Sequence, residues 1–211
     1  LRGNFDDGIV LSPSSYLLRA EDSSKLNRVF LKVQVPSMNM SYERNLSERT
    51  NDLGLSTDGR LIYDSSCGWI FYLHYYYNNL FCFDTSLHLI WVGKTLDTVS
   101  RNANKTLVYT NRDSSRSSAA FTGPLKFVNW WGDVDGDKLY VYSNLKADNE
   151  SSANFRENSV IDVFQLPDVH YVYSFYVPLV NGRRMISFKV VKDELLAFYS
   201  KKLVVYLNEN K

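Results

Sequence analysis

Residues 68–84 read GWIFYLHYYYNNLFCFD, two apolar and aromatic runs separated by a short turn. Such a pair of runs is typical of two antiparallel strands joined in a hairpin. Related pairs occur three more times, as SSYLLRAED with RVFLKVQV (14–35), KLYVYSN with SVIDVFQL (138–166), and ELLAFYSKKLVVYL (194–207). Repetition of one small unit indicates a repeat architecture. The sequence therefore predicts an all-β, β-propeller-like array of about four four-stranded antiparallel blades.

Composition supports this fold class and excludes several functions. Of 211 residues, 45% are hydrophobic and 15% are aromatic, and 15 Tyr and 12 Phe favour strands over helices. The net charge of +1 provides no basic surface of the kind that binds nucleic acid. No apolar run is long enough to cross a bilayer, so we expect no transmembrane segment.

The chain is predicted to form one propeller-like domain, 1–211. Its blades are placed at approximately 8–50, 53–97, 124–178 and 183–211, with a long polar connection at 98–123. In this connection only LVYT (107–110) resembles a strand, and connections of this length are usually functional or mobile.

The fourth predicted blade has only three strands. An unpaired strand edge favours aggregation, so we expect a fourth strand from the segment Gly8–Leu11 or from another chain.

Several stretches carry a family resemblance: LSTDGRLIYD (55–64), YYNNLFCFD (76–84), KTLDT (94–98), NSVIDVF (158–164) and YSFYVP (173–178). Through them nearly the whole chain resembles the uncharacterised six-bladed, TolB-like β-propeller proteins of Bacteroidetes. The resemblance implies export to the periplasm or the outer-membrane surface, with a lipid anchor on a removed N-terminal segment. The chain is too short for six blades, so it would cover only part of such a ring. The shared motifs are structural and carry no catalytic signature.

One acidic turn is a candidate metal site. Asp133, Asp135 and Asp137 alternate along the chain, and carboxylate oxygens at this spacing can converge on Ca²⁺. The twelfth position of an EF-hand loop would be Asn144, and no flanking helix is predicted. The alternative is a tight turn around Gly136 between two strands.

Two further groups are candidate ligand-binding residues. Trp130 and Trp131 could form a stacking surface for a sugar, although neighbouring residues on a strand point to opposite faces and either ring could instead fill an inter-blade core. Arg112 and Arg116 could bind an anion, or they could belong to a solvated loop.

Enzymatic signatures are weak. No G-x-S-x-G motif is present, and the sequence indicates no cofactor. Asp58, Asp97 and Asp162 lie near predicted strand ends and could act in glycoside cleavage or could cap turns. Cys67 and Cys82 fall in one predicted hairpin unit and are expected to be reduced thiols, with a disulfide as the alternative.

Three hypotheses about function follow from these patterns. The first is a non-enzymatic binding or interaction module of the bacterial cell envelope, with a protein or glycan as its ligand. The second is a carbohydrate-active enzyme, a lyase or hydrolase, on a propeller scaffold. The third is a subunit that pairs with another chain through an open sheet edge.

Overall fold

The computed structural model describes residues 4–23, 25–43, 46, 50–99, 105–111, 116–192 and 194–207. These residues form an all-β fold in which four small antiparallel sheets are arranged as a four-bladed β-propeller, with a further two-stranded sheet in the connection between the second and third. Sheet 1 contains β1 (Phe5–Ser12), β2 (Ser15–Glu21), β3 (Arg28–Gln34) and β4 (Asn39–Glu43). Sheet 2 contains β5 (Gly59–Asp64), β6 (Trp69–His74), β7 (Asn79–Asp84) and β8 (Leu89–Lys94).

The second half of the chain repeats this arrangement. Sheet 3 contains β11 (Asn129–Asp135), β12 (Lys138–Ser143), β13 (Asn158–Gln165) and β14 (His170–Pro178). Sheet 4 contains β15 (Ser187–Val191), β16 (Glu194–Tyr199) and β17 (Lys202–Leu207). One short helix, α1 (Ser152–Glu157), lies between β12 and β13, and the Ser151 hydroxyl caps it by accepting a hydrogen bond from the Asn154 N–H.

The first strands of the sheets lie side by side in chain order. β1 contacts β5, β5 contacts β11, and β11 contacts β15. This order places the first strand of each sheet at the inside of the array and the last strand at the outside.

The sequence of strand β6 is continuously apolar because the strand lies between two other sheets. Ile70 and Tyr72 pack against sheet 1, whereas Phe71 and Leu73 point the opposite way, against sheet 3. Because side chains alternate along a strand, a sheet between two others needs apolar residues at every position. Each large side chain buried in this way contributes roughly 1.5–3 kcal/mol. The predicted all-β array of small antiparallel sheets is confirmed.

Sheets 2 and 3 approach closely at Gly132 in β11. A Cβ at this position would lie 2.5 Å from Ile62 Cδ1 and 3.2 Å from Leu73 Cδ2. A larger residue would have to displace the ends of these two side chains, because the backbone of β11 packs directly on the neighbouring sheet.

The connection at 98–123 differs from the sequence-based prediction. It contains a two-stranded sheet, formed by β9 (Thr106–Asn111) and β10 (Arg116–Phe121). The stretch LVYT lies in β9, but β10 reads RSSAAF and was missed because serine and alanine give no apolar alternation.

The N-terminal segment also differs from one prediction. Gly8–Leu11 lies within β1, which pairs with β2 in sheet 1 and does not complete sheet 4. Ile9 and Leu11 pack against the cluster between sheets 1 and 2, and this burial fixes the segment in its own blade.

Candidate functional site

A cleft of about 590 Å³ lies between the segment that follows β8 and the outer part of sheet 3. We call it the acidic cleft and define it by six of its lining residues: Asp97, Glu150, Asp162, Tyr171, Ser174 and Tyr176. Residues 96–99 form one wall, and residues 145–150 form another. Ligand-binding cavities usually measure about 300–1,000 Å³, so the size suits a small ligand or a short segment of a polymer.

Asp162 lies on β13, opposite Ser174 on β14. The side chain is only slightly accessible, since the residue is 5% exposed. The Ser174 hydroxyl donates to Asp162 Oδ1 at 2.5 Å. Tyr171 Oη lies 3.0 Å from Ser174 Oγ, and because the serine proton is already used, the tyrosine donates. The result is an ordered chain of hydrogen bonds from Tyr171 through Ser174 to Asp162.

A β-bulge brings Tyr171 into this network. The register between β13 and β14 shifts between Val163 and Phe164, which pair with Tyr173 and Tyr171. Without the extra residue, Tyr171 and Ser174 would point to opposite faces of the sheet, because their separation is odd. The bulge places both on the face that lines the acidic cleft.

Asp97 is held by the turn in which it lies. Thr95 Oγ1 donates to Asp97 Oδ2 at 2.7 Å, and the Val99 N–H donates to Asp97 Oδ1 at 2.7 Å. The Asn78 side-chain amide donates to the Asp97 carbonyl oxygen at 2.8 Å. Both carboxylate oxygens of Asp97 therefore serve the local structure while the residue lines the cleft.

The third carboxyl group of the cleft belongs to the loop before α1. Glu150 Oε2 accepts a hydrogen bond from the Ala147 N–H at 3.3 Å. Lys146 Nζ donates to the carbonyl oxygens of Ala147 and Glu150, at 3.0 Å each. The ammonium group thus stabilises the loop, and Tyr176 lies near the carboxylate, which raises the pKa of its phenol.

The surroundings raise the pKa of two aspartates of the cleft, Asp162 and Asp97. Burial raises the pKa of Asp162, and the nearby Asp97 and Glu150 raise it further, while hydrogen bonds from Ser174 and Ser143 lower it. Burial also raises the pKa of Asp97, against the hydrogen bonds from Thr95 and Val99. Asp148 also lines the cleft, so four carboxyl groups accompany a single lysine there.

The two tryptophans predicted to bind a ligand lie elsewhere, at the contact between sheets 3 and 4. Trp130 is 39% exposed and donates its indole N–H to the Ile186 carbonyl at 2.9 Å. Trp131 donates to the Phe188 carbonyl at 2.9 Å, and the Arg60 guanidinium lies 3.5 Å from its ring centroid. Both indoles therefore link β11 to the segment at β15. A ligand-stacking role for them stays a prediction.

Neither of the two predicted arginines has a described side chain. Arg112 lies outside the described residues, and Arg116 begins β10 with its side chain outside the described part of the molecule. Anion binding by this pair also stays a prediction.

The three aspartates of the predicted metal site have separate partners. Asp133 accepts from Lys189 Nζ and from the Val190 N–H, both at 2.7 Å. Asp135 accepts from the Lys192 N–H at 3.1 Å, and Asp137 accepts from Gln165 Nε2 at 2.8 Å.

The turn between these aspartates has the geometry of the alternative interpretation. Gly136 has a φ of +59°, as a tight turn between β11 and β12 requires. Within the described ranges, no group of three or more His, Cys, Asp or Glu side chains could hold a metal ion.

Asp58, the remaining candidate carboxylate, belongs to a partly exposed ionic cluster around the buried Arg19, between sheets 1 and 2. Arg19 Nη1 lies 2.6 Å from Asp6 Oδ2 and 3.2 Å from Asp58 Oδ1. Arg19 Nη2 donates to the Gly54 carbonyl at 2.6 Å. These contacts satisfy a guanidinium that is almost fully buried, so the cluster joins the sheets.

Comparison with known proteins shows the fold and no more. No known family model matches the chain, and no curated protein matches it. A crystal structure of a DUF4221 family member from Bacteroides vulgatus matches with a TM-score of 0.50 and 13% identity, covering 94% of this chain. This chain spans 61% of the length of that structure. A chain of a nidogen–laminin complex matches with a TM-score of 0.38 and 8% identity, over 87% of this chain and 67% of the other.

In the described part of the chain, no helix has both the length and the apolar character needed to cross a bilayer.

The sequence pointed to Asp97 and Asp162 but gave no sign that they share a cleft, since 65 positions separate them. It missed Tyr171, Ser174 and Tyr176, which lie in an aromatic strand with the pattern of ordinary core. The only signal was the polar insertion at 147–154, which supplies part of one wall.

Proposed function

We propose that the chain is a non-enzymatic binding module of the bacterial cell envelope and that a glycan segment binds in the acidic cleft. The supporting observation is the joint placement of Tyr171, Ser174 and Asp162 in one cavity with Asp97 and Glu150. Sugars offer hydroxyl groups to carboxylate acceptors and flat faces to aromatic rings. Tyr171 and Tyr176 are exposed and supply such rings beside the acceptors.

Binding fits the cleft better than catalysis because its carboxylates are already engaged. Both Asp97 oxygens accept hydrogen bonds from the turn, and Asp162 accepts one from Ser174. Such groups are fixed acceptors, whereas a glycosidase nucleophile must reach the anomeric carbon freely.

A location in the cell envelope is supported by sequence and fold together. Quoted stretches of the chain resemble exported six-bladed, TolB-like proteins of Bacteroidetes, and the fold is similar to that of a Bacteroides protein. In the proposed arrangement the four sheets belong to a six-bladed ring at the periplasmic or outer-membrane surface.

The second candidate function is a lyase or hydrolase acting on a carbohydrate in the same cleft. Burial raises the pKa of both Asp97 and Asp162. A carboxylic acid with a raised pKa is what general acid catalysis at an oxygen atom needs.

A binding experiment separates these functions. The purified chain is titrated with a panel of bacterial and plant polysaccharides by calorimetry, and the mixtures are then analysed for shortened or unsaturated products. We expect saturable binding without product, and a loss of affinity of about tenfold in Tyr171→Ala and Asp162→Asn, equivalent to about 1.4 kcal/mol.

The matched control is Tyr173→Ala. Tyr173 lies on the same strand with similar exposure but lines a different cleft, so its loss should leave glycan affinity unchanged. Product formation that disappears in Asp162→Asn would establish the enzyme instead. Absence of saturable binding across the panel would contradict the proposal.

A further inference from the structure

The acidic cleft contains carboxyl groups that have no positively charged partner. Asp97, Asp148, Glu150 and Asp162 line it, and among the described residues none of these four forms an ion pair with Lys, Arg or His. Lys146 also lines the cleft, but its ammonium group donates to two backbone carbonyl oxygens of its own loop. The cleft therefore has an excess of acidic groups that the described chain does not balance.

Asp133, on the same sheet, shows what a buried carboxylate has elsewhere in the molecule. Asp133 is 6% exposed, and Lys189 Nζ lies 2.7 Å from its Oδ1. Asp162 is 5% exposed, yet its side-chain partners are the uncharged hydroxyl groups of Ser174 and Ser143. Because a buried carboxylate without an opposite charge is unfavourable, a cation that enters the cleft would stabilise ionised Asp162.

Glu150 is a second carboxylate with unused hydrogen-bonding capacity. Its Oε2 accepts from the Ala147 N–H, whereas Oε1 is buried and has no partner in hydrogen-bond geometry among the described residues. A buried acceptor without a donor is unfavourable. This wall of the cleft therefore favours a ligand that donates hydrogen bonds.

The arrangement of the carboxyl groups indicates what kind of cation fits. Within the described ranges, no three or more His, Cys, Asp or Glu side chains are placed to hold one metal ion. The cleft measures about 590 Å³, and Tyr171 and Tyr176 are exposed beside the acidic groups. A ligand with ammonium groups on hydroxylated rings would place positive charge near several carboxylates and ring faces against the tyrosines.

We propose that the glycan bound in the acidic cleft contains amino sugars with free, protonated amino groups. The ammonium groups donate charge-assisted hydrogen bonds to Asp148 and Glu150 and balance the charge of the buried Asp162. This inference rests on the proposed glycan binding and adds the chemical class of the glycan.

Three oligosaccharides of equal length and linkage test the role of charge. The probes are the β-1,4-linked hexamers of glucosamine, N-acetylglucosamine and glucose, which differ only in the group at C2. Each is titrated into the purified chain by calorimetry at pH 6, where the amino groups are largely protonated. We expect the glucosamine hexamer to bind about tenfold more tightly than the two neutral hexamers. It should lose this advantage in about 0.5 M salt, because salt screens the attraction between charges.

Two variants locate the charge that the ligand recognises. Glu150→Gln keeps an acceptor for the Ala147 N–H but removes the negative charge, so it should weaken binding of the glucosamine hexamer about fivefold and leave the N-acetylglucosamine hexamer unaffected. Glu157→Gln is the matched control. Glu157 is exposed at the end of α1 and does not line the cleft, so this variant should change affinity less than about twofold. Circular dichroism checks that both variants fold.

The outcomes separate this inference from the proposed function. If polysaccharides bind but the glucosamine hexamer has no advantage over the neutral hexamers, the inference is overturned and glycan binding stands. If no hexamer and no polysaccharide binds, both are overturned. Equal losses in Glu150→Gln and Glu157→Gln would also overturn the inference, because the ligand would then respond to overall charge. Tighter binding of a lysine trimer than of the glucosamine hexamer would overturn it as well, because the cleft would then recognise a basic peptide.

Discussion

The acidic cleft and a second cleft, of about 620 Å³ between β14 and β17, occupy equivalent positions but have opposite chemistry. We call the second one the edge cleft and define it by Tyr173, Val177, Tyr206 and Leu207. Each opens where the outer parts of adjacent sheets separate, and β14 contributes side chains to both. Ser174 and the bulge-shifted Tyr171 line the acidic cleft, Tyr173 and Val177 line the edge cleft, and Phe175 and Tyr176 between them line both. One strand of alternating residues thus supplies two different surfaces, and the neighbouring segments determine whether each is polar.

The polar character of the first cleft comes from segments outside the sheets. Residues 96–99 and 145–150 bring Asp97, Lys146 and Glu150 to it. The edge cleft is lined by strand residues from sheets 3 and 4, together with few charges. The segments inserted between strands therefore make the acidic cleft polar. The edge cleft is lined by strand residues and keeps the apolar character of the core between the sheets.

The largest expected effect concerns the apolar cores beneath the two clefts, and it tests whether both cores contribute equally to the free energy of unfolding. Phe71 is fully buried between sheets 2 and 3, and Phe188 is fully buried between sheets 3 and 4. Phe71→Ala and Phe188→Ala should each lower the free energy of unfolding by about 4 kcal/mol, through lost burial and a residual cavity. Urea unfolding measures both.

The matched control for these variants is Phe5→Ala, because Phe5 is 59% exposed. It should change the free energy of unfolding by less than about 0.5 kcal/mol. If one of the two core variants changed the free energy of unfolding as little as this control, the cores beneath the two clefts would not contribute equally to stability.

A second variant places a charge at the base of the edge cleft. Val177 is 1% exposed, so Val177→Asp buries a carboxylate among Phe188, Val190 and Tyr140. We expect a loss of about 3 kcal/mol in the free energy of unfolding at neutral pH, because a buried charge without a partner is costly. The loss should be smaller at pH 4, where the new carboxyl group is more readily protonated.

Tyr173→Asp is the control on the same face of β14. Tyr173 is 40% exposed, so its replacement leaves the charge in water and should cost less than about 1 kcal/mol. Equal losses for the two variants would show that the base of the edge cleft is hydrated, unlike the core that it continues.

The same two clefts show what the sequence could predict. Runs such as WIFYLH predicted buried strands because a strand between two sheets needs apolar residues on both faces. Pairing within each sheet followed from short turns, and the four-sheet array followed from repetition of the unit. These features depend on residues that are close together along the chain, so a sequence pattern can predict them.

The candidate site depends on contacts that such a pattern does not record. Tyr171 reaches Ser174 only because of the bulge at Val163, and no residue type marks a bulge there. Trp130 and Trp131 suggested a stacking surface, yet their indole N–H groups meet backbone carbonyls of the next sheet. The position of that sheet is a tertiary property, so sequence alone could not assign those partners.

The smallest expected effect concerns the pH dependence of the acidic cleft. The pKa of Asp162 is raised above its ordinary value of 3.8, chiefly by burial. The folded chain therefore holds this proton more tightly than the unfolded chain does. Stability must fall as the pH rises from about 3.8 through the raised pKa, because the unfolded state releases the proton first. Asp162→Asn removes this titration, so its stability relative to the unchanged chain should improve from pH 3.5 to pH 7.

Asp84 should show the opposite slope and so serves as the control. Burial raises the pKa of Asp84, but the hydrogen bonds from His88 and Ser86 together outweigh it and lower the pKa below 3.8. This carboxylate stabilises the fold above that value, and its contribution is lost as the pH falls through the lowered pKa. Asp84→Asn should therefore become less stable relative to the unchanged chain as the pH rises toward 7. Because the group is exposed, solvent screening should keep the effect below about 1 kcal/mol. Thermal unfolding of both variants between pH 3 and pH 7 measures the two slopes, and slopes of the same sign would refute the assignment of Asp162 to a buried, acid-rich cleft.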